Sequence, residues 1–164
     1  MLRLLLLFLQ LTNAGTTARM TSPEDLLQPM AAQGPTWYND LQAARQMAQK
    51  EHKYILLNFS GSDWCGPCIL LRKEIFDDPV FSKMADTTLV LVNADFPRLK
   101  KNQLATAQQK LNDDMADRYD PKGLFPLTLL LNAEGKVLTQ WEGNPGIKPE
   151  EFSRQIRTII ATDR

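Results

Sequence analysis

Two cysteines, Cys65 and Cys68, are the only ones in the chain, and both lie in one short stretch, SDWCGPCILL. Thiols this close can close a disulfide, hold a metal ion, or react in turn with an outside disulfide. Each chemistry asks for different neighbours. A structural zinc site wants four ligands. There is no second cysteine pair and His52 is the sole histidine, so no metal site is expected. Two thiolates suit copper(I) on softness grounds, although a Gly-Pro spacer is not specific to it. A purely structural staple is weak, because so small a loop removes little unfolded-state entropy. Reversible thiol–disulfide exchange fits the spacing best.

The exchange reading assigns roles within the turn. The stretch YILLNF before it reads as a strand and CILLRKEIF after it as a helix, so Cys65 falls at a helix start. There the first backbone N–H groups lack internal partners and the helix dipole is positive. A thiolate is stabilised, and the thiol pKa falls below its free value of about 8.5. Cys65 is therefore expected to be the more exposed and to attack a substrate disulfide. Cys68, one turn further in and more buried, then attacks the mixed disulfide and releases the product. Gly66 and Pro67 complete the turn; Pro67 removes one N–H and fixes φ at a value suited to the start of a helix. Trp64 offers a flat apolar wall beside the reactive sulfur, or else packs into the core.

These residues must be held by a scaffold. WYNDLQAARQMAQKEHK carries Leu41, Ala44, Met47 and Ala48 at helical spacing, predicting about three turns of helix. YILLNF has the length of a buried strand. In the helix after the cysteines, Leu71 and Ile75 share a face with Cys68, while Arg72 and Lys73 point to solvent. Asp77-Asp78-Pro79 breaks it, and PVFSKMA adds a turn or two. TTLVLVNAD is a second β-rich run, and FPRLKKNQ a loop. LATAQQKLNDDMADRY places Leu104, Ala107, Leu111, Met115 and Tyr119 at steps of three and four, a further helix. LTLLL and VLTQW are strands joined by the tight turn NAEGK, with positive φ expected at Gly135. KPEEFSRQIRTIIA begins a last helix at Pro149, with Phe152, Ile156, Ile159 and Ile160 as its buried stripe. The first two strands, joined by a helix, should be parallel with a right-handed crossover; the last two should be antiparallel. The expected fold class is α/β, a mixed central sheet with helices on both faces.

Composition bounds the rest. The chain has 164 residues, 43% apolar and 23% charged, enough for one domain with a real core. Acidic and basic side chains balance at 19 each. A nucleic-acid binder shows a basic excess or stripe, so no nucleic-acid partner is expected. Arg98, Lys100 and Lys101 cluster in FPRLKK, and read as a solvated loop rather than an anion site. The N-terminus MLRLLLLFLQLTNAGTTA runs from basic Arg3 through an apolar stretch to small and polar residues, with Ala14 and Ala18 as cleavage positions. That is the order of a secretory signal over 1–18, too short to span a bilayer. The alternative start is Met20, which would leave the chain cytoplasmic. Residues 19–36, with Pro23, Pro29 and Pro35, read as a loose leader, and 37–162 as the folded domain. The expected address is periplasmic or secreted, where two close thiols are found as a Cys65–Cys68 disulfide.

With these residues in hand, the sequence resembles the thioredoxin superfamily, in an exported thioredoxin-like branch. WCGPC between strand and helix, GLFPLTLLLNAEGKVL, and the element order over roughly 37–162 carry the likeness. The resemblance implies a thioredoxin-like fold, a protein thiol–disulfide oxidoreductase of reducing type, protein thiols and disulfides as substrates, a redox partner of unknown identity, and no cofactor. It implies that the Phe125–Pro126 bond is cis and that Phe125 and Pro126, with Trp64, dock the substrate backbone by strand addition. It also marks a departure. Where thioredoxins carry a buried aspartate this chain has Asn58, and the place of its lysine partner falls at Leu91. Asparagine cannot take a proton from Cys68, which leaves water, the departing thiolate, or an inward-turned Asp63; a solvent-facing Asp63 is the reading preferred here. Two other functions stay open: a non-catalytic module binding partners beside Phe125 and Pro126, and copper(I) handling.

Overall fold

The computed structural model describes residues 35–163. The signal peptide expected over 1–18, and the leader over 19–36 up to its last two residues, lie outside them. The chain order is β1 (Trp37–Tyr38), α1 (Leu41–Glu51), β2 (Tyr54–Ser60), α2 (Gly66–Leu71), α3 (Pro79–Thr88), β3 (Leu89–Asp95), α4 (Thr106–Tyr119), β4 (Leu127–Leu131), β5 (Val137–Glu142) and α5 (Pro149–Thr162). The sheet runs β1-β3-β2-β4-β5. Strands β1, β3 and β2 are mutually parallel, while β4 runs antiparallel to both β2 and β5.

Alternation along β2 explains the two layers. Ile55, Leu57 and Phe59 face one side, with Val90, Val92, Ala94, Leu127, Leu129 and Leu131 from the neighbouring strands. Ala44 and Ala48 of α1 and Met115 and Tyr119 of α4 cover that side. Leu56, Leu91 and Leu130 face the other side, beneath α3, α5 and the helix after the cysteines. Successive strand side chains point to opposite faces, so an uninterrupted apolar strand such as β4 needs cover on both. Phe59, Phe81 and Phe152 are fully buried, each worth about 1.5–3 kcal/mol relative to exposure.

Local chemistry sets the helix ends. Asp40 caps α1 by accepting from the backbone of Gln42 and Ala43, and His52 ends it at φ 54°. Asp78 caps α3 ahead of Pro79. Gly135 turns the β4–β5 hairpin at φ 83°.

Four features differ from expectation. Trp37 and Tyr38 form an edge strand on β3 rather than leading into a helix, because a parallel edge partner offers ladder bonds that a two-residue run cannot signal. Helix α3 extends through Thr88, since PVFSKMA continues without a break until the β-rich run begins. Beyond Leu71 the helix widens into a π-turn, Arg72–Phe76, in which the Asp77 N–H reaches back to the Arg72 carbonyl. In α4 the buried stripe includes Asn112 while Leu111 is exposed. Asn112 donates to the Asp95 carbonyl at 2.7 Å and accepts from Gln108 at 2.8 Å, so it can be buried without an unsatisfied amide.

Candidate active site

Strand β2 ends at Ser60, and the chain turns through Gly61 to Trp64 into α2. Cys65 is the N-cap of α2. Cys65 and Cys68 are joined by a disulfide, S–S 2.05 Å with Cα atoms 5.2 Å apart. The Cys68 N–H donates to Cys65 Sγ at 3.3 Å. That contact is the sulfur version of an ordinary N-cap. The expected difference in exposure is not present: each cysteine is 4% exposed. The bond turns Cys65 Sγ back into the turn toward Cys68 and away from solvent. Gly66 and Pro67 are exposed, and a Cβ on Gly66 would meet nothing within 4 Å, so the outer side of the turn is open.

Trp64 is half-buried and held on several sides. Its Nε1–H donates to the Phe96 carbonyl at 2.7 Å. Its ring meets Phe125 edge-on at 5.3 Å between centroids, and Phe125 in turn meets Phe96 at 5.5 Å. The Arg98 guanidinium lies 3.6 Å over the indole. Trp64 is thus both a wall of the site and a packed residue. The space it fills depends on Gly61, where an added Cβ would fall 2.3–2.6 Å from three indole atoms. Gly61→Ala is expected to lower stability by about 1–3 kcal/mol and to shift the tryptophan emission. Thermal melts and fluorescence check this; a wild-type melt and spectrum would overturn it.

Asp63 does not face the sulfurs. Its carboxylate accepts from the Arg98 N–H at 2.9 Å, the Leu99 N–H at 3.0 Å and Asn102 Nδ2 at 2.9 Å. These donors, the Arg98 N–H foremost, hold its pKa below the usual carboxylate value. It is half-buried and fully engaged, and it ties the cysteine turn to the loop after β3. Ser62 adds to the tie, donating its N–H and its Oγ–H to Asp95 at 2.8 and 2.5 Å.

Asn58 is 6% exposed. Its Nδ2 donates to Asn93 Oδ1 at 2.9 Å, and its Oδ1 accepts from Thr128 Oγ1 at 3.1 Å. The polar partner is therefore Asn93, directly opposite in the β2–β3 ladder; Leu91 pairs with Leu56 instead. A cleft of about 280 Å³ runs from this amide pair to Cys68, lined also by Ser60, Arg72 and Lys73. Its lining is mostly apolar with polar groups at Asn58, Asn93 and Ser60, and it is large enough for water.

The Phe125–Pro126 peptide is cis. Pro126 is buried and Phe125 half-buried against Trp64. The turn before them is held by Asp120, 4% exposed, whose Oδ1 accepts from the Leu124 N–H at 2.9 Å while Oδ2 has no partner. Burial pushes this carboxyl above its usual range, against the pull of the Leu124 and Gly123 N–H groups.

The structure thus gathers Cys65, Cys68, Gly66, Pro67, Trp64 and Phe125 at one end of the sheet, with Asn58 behind Cys68. Sequence reasoning did not find Asn93, Thr128 or Gly61. Laying β2 beside β3 with Tyr54 opposite Leu89 would have paired Asn58 with Asn93; nothing in the one-letter string marks Gly61.

Comparison with known proteins agrees with this architecture. A family model described as Thioredoxin-like matches residues 36–133. The disulfide bond reductase DsbH of Chlamydia pneumoniae is 35% identical over 130 residues, covering 78% of this chain and 76% of that protein. A solved structure titled DsbH Oxidoreductase superposes with a TM-score of 0.70 at 30% identity, covering 82% of this chain and 90% of the other. A thioredoxin from Thermus thermophilus, at 17% identity, shares the fold with a TM-score of 0.59 over 79% of this chain and 89% of its own. With its disulfide at the head of α2 and relatives of this kind, the chain belongs to the thioredoxin-like family and is a thiol–disulfide oxidoreductase.

Proposed function

We propose that the chain is a reductase of protein disulfides, with Cys65 as the attacking thiol and Cys68 as the resolving one. The observation that carries the assignment is the capping contact: the Cys68 N–H points at Cys65 Sγ, where it would stabilise a thiolate. In the dithiol form, the Cys65 thiolate attacks one sulfur of the substrate disulfide. A mixed disulfide forms and the first substrate thiolate leaves. Cys68 loses its proton and attacks Cys65 Sγ, the mixed disulfide breaks, and the second thiolate leaves. The substrate has gained two electrons and the enzyme holds the Cys65–Cys68 disulfide. An outside dithiol must then restore it.

Phe125, fixed against Trp64, presents the backbone on which the substrate segment docks as a short added strand. The direction of electron flow is supported by the Gly-Pro spacer and by likeness to a relative named a disulfide bond reductase. The basic, apolar and small order of residues 1–18 supports export, to a periplasmic or secreted address. No helix among the described residues is long and apolar enough to cross a membrane.

The reduction potential of the Cys65–Cys68 couple tests the direction. Equilibration in glutathione buffers, followed by alkylation of free thiols, is expected to give a value below about −250 mV; a value near about −120 mV would make the protein an oxidant.

A further inference from the structure

The loop after β3 carries three cations beside the cysteine turn, and its position there is fixed. Asp63 holds it through the backbone of Arg98 and Leu99 and the side chain of Asn102, and Trp64 holds it through the Phe96 carbonyl. Residues 98–101 are therefore mounted on the same turn that carries Cys65. All four are exposed, Leu99 by 48%.

The charges of this segment are not spent within the protein. Among the described residues, the ion pairs are Lys53–Glu51, Arg72–Asp77, Lys110–Asp114 and Arg154–Glu151. Arg98, Lys100 and Lys101 are in none of them. Arg98 lies flat on Trp64, which leaves the guanidinium edge free to donate to a carboxylate. The nearby acids, Asp63 and Asp95, accept from neutral N–H and O–H donors and keep their charge, so the three cations leave a local excess of about one positive charge. In the segments beside Phe125, Asp120 is buried, Glu142 lies opposite Leu127 and accepts from Gln140, and Lys122 is exposed. The Trp64 side of the groove thus carries a small excess of exposed cations. In a chain with 19 acidic and 19 basic residues, this polarity is local.

We propose that Arg98, Lys100 and Lys101 form a recognition rim that selects protein disulfides whose cysteine is flanked by aspartate or glutamate. The inference rests on the reading of Cys65–Cys68 as acting on protein disulfides. The rim acts at encounter, drawing an acidic segment onto Trp64 and Phe125 before exchange begins. Single exposed ion pairs are weak, so three together give a preference of roughly tenfold.

The test uses disulfide-linked peptide dimers, identical except for Asp-Asp, Ser-Ser or Lys-Lys beside the cysteine. Single-turnover reduction by the dithiol protein is divided, for each peptide, by the rate with dithiothreitol, which removes differences in intrinsic reactivity. At low salt the wild type is expected to favour the Asp-Asp over the Lys-Lys peptide by roughly tenfold, with the Ser-Ser peptide between. The preference should collapse at about 1 M salt, where the screening length is about 3 Å. Arg98→Gln/Lys100→Gln/Lys101→Gln is expected to bring the ratio near one at low salt. Lys100→Gln/Lys101→Gln, which leaves the Trp64 contact in place, should lower it to about threefold. Equal rates in the wild type, or a ratio unchanged in either variant, would overturn the rim alone. Failure to reduce any of the peptides would overturn the underlying reading and the rim with it.

Discussion

Cys65→Ser is expected to leave no more insulin-disulfide reduction than dithiothreitol gives by itself, a loss of at least about a thousandfold in the protein-catalysed rate. Cys68→Ser is expected to halt after the first exchange and accumulate mixed disulfides that resolve on non-reducing gels and release substrate on reduction. The two cysteines are equally enclosed in the oxidised protein, so exposure does not separate their roles. What separates them is position: Cys65 Sγ takes the N-cap hydrogen bond, whereas Cys68 lies within α2 with its N–H committed to that bond. A helix start favours the anion, and the lower-pKa thiol is the one ionised and ready to attack near neutral pH. Neither serine variant should lose its fold, because the change is nearly isosteric. Equal trapping by both variants would overturn the order of attack, and reduction by Cys65→Ser at the wild-type rate would remove the exchange mechanism altogether.

Asn58→Asp is expected to have opposite effects on rate and stability. In the wild type, Asn58 gives Cys68 no base, and the one carboxylate lining the cleft, Asp77, is paired with Arg72. A carboxylate at this position would still accept from Thr128, and Asn93 could turn its amide to donate as well. General-base assistance is worth about 10²–10⁴ where geometry is good; across a water a gain of about tenfold in the release step is expected. The cost is burial, which disfavours the charged form and raises the new carboxyl's pKa. The variant should be about 2–3 kcal/mol less stable at neutral pH, equivalent to a shift of about two pKa units. The sign is fixed by linkage. Below the unfolded pKa of about 3.9 both states are protonated and the penalty is absent; it grows as pH rises and levels off above the raised folded pKa. Urea unfolding at pH 4 and pH 7.5, with rapid-quench alkylation of the mixed disulfide, measures both effects. A variant as stable as wild type at both pH values, or a release step no faster, would mean that the amide is not in the place from which a base can act.

Much of the scaffold could be read from spacing because each element announces itself locally. Strands β2, β3 and β4 are apolar runs of strand length, Pro149 marks the start of α5, and the short NAEGK turn requires β4 and β5 to pair antiparallel. The features that escaped are those decided by a distant partner. Trp37 and Tyr38 become a strand only because β3 offers an edge. Asn112 is buried only because the Asp95 carbonyl lies within its reach. Leu111, chosen for its hydrophobicity, loses the inward position to that hydrogen bond. At the site, the cysteine turn was legible as chemistry, since the sulfurs and the helix start are adjacent in sequence. The enclosure of Cys65 was not, because burial depends on what packs around the turn. Asn93, two residues along β3 from Leu91, is identified only once the register of β2 on β3 is known.

The way Asp63 grips its neighbouring loop also bears on how this protein could be adapted. The grip uses main-chain N–H groups at positions 98 and 99 and only one side chain, Asn102. Main-chain donors survive most substitutions, so the side chains at 99–101 are exchangeable on a mount that does not depend on them, while Arg98 also packs on Trp64. Partner choice and redox chemistry thereby become separable properties. One can be varied at positions 99–101 while Arg98 keeps its place on Trp64 and the cysteine turn keeps its capping bond.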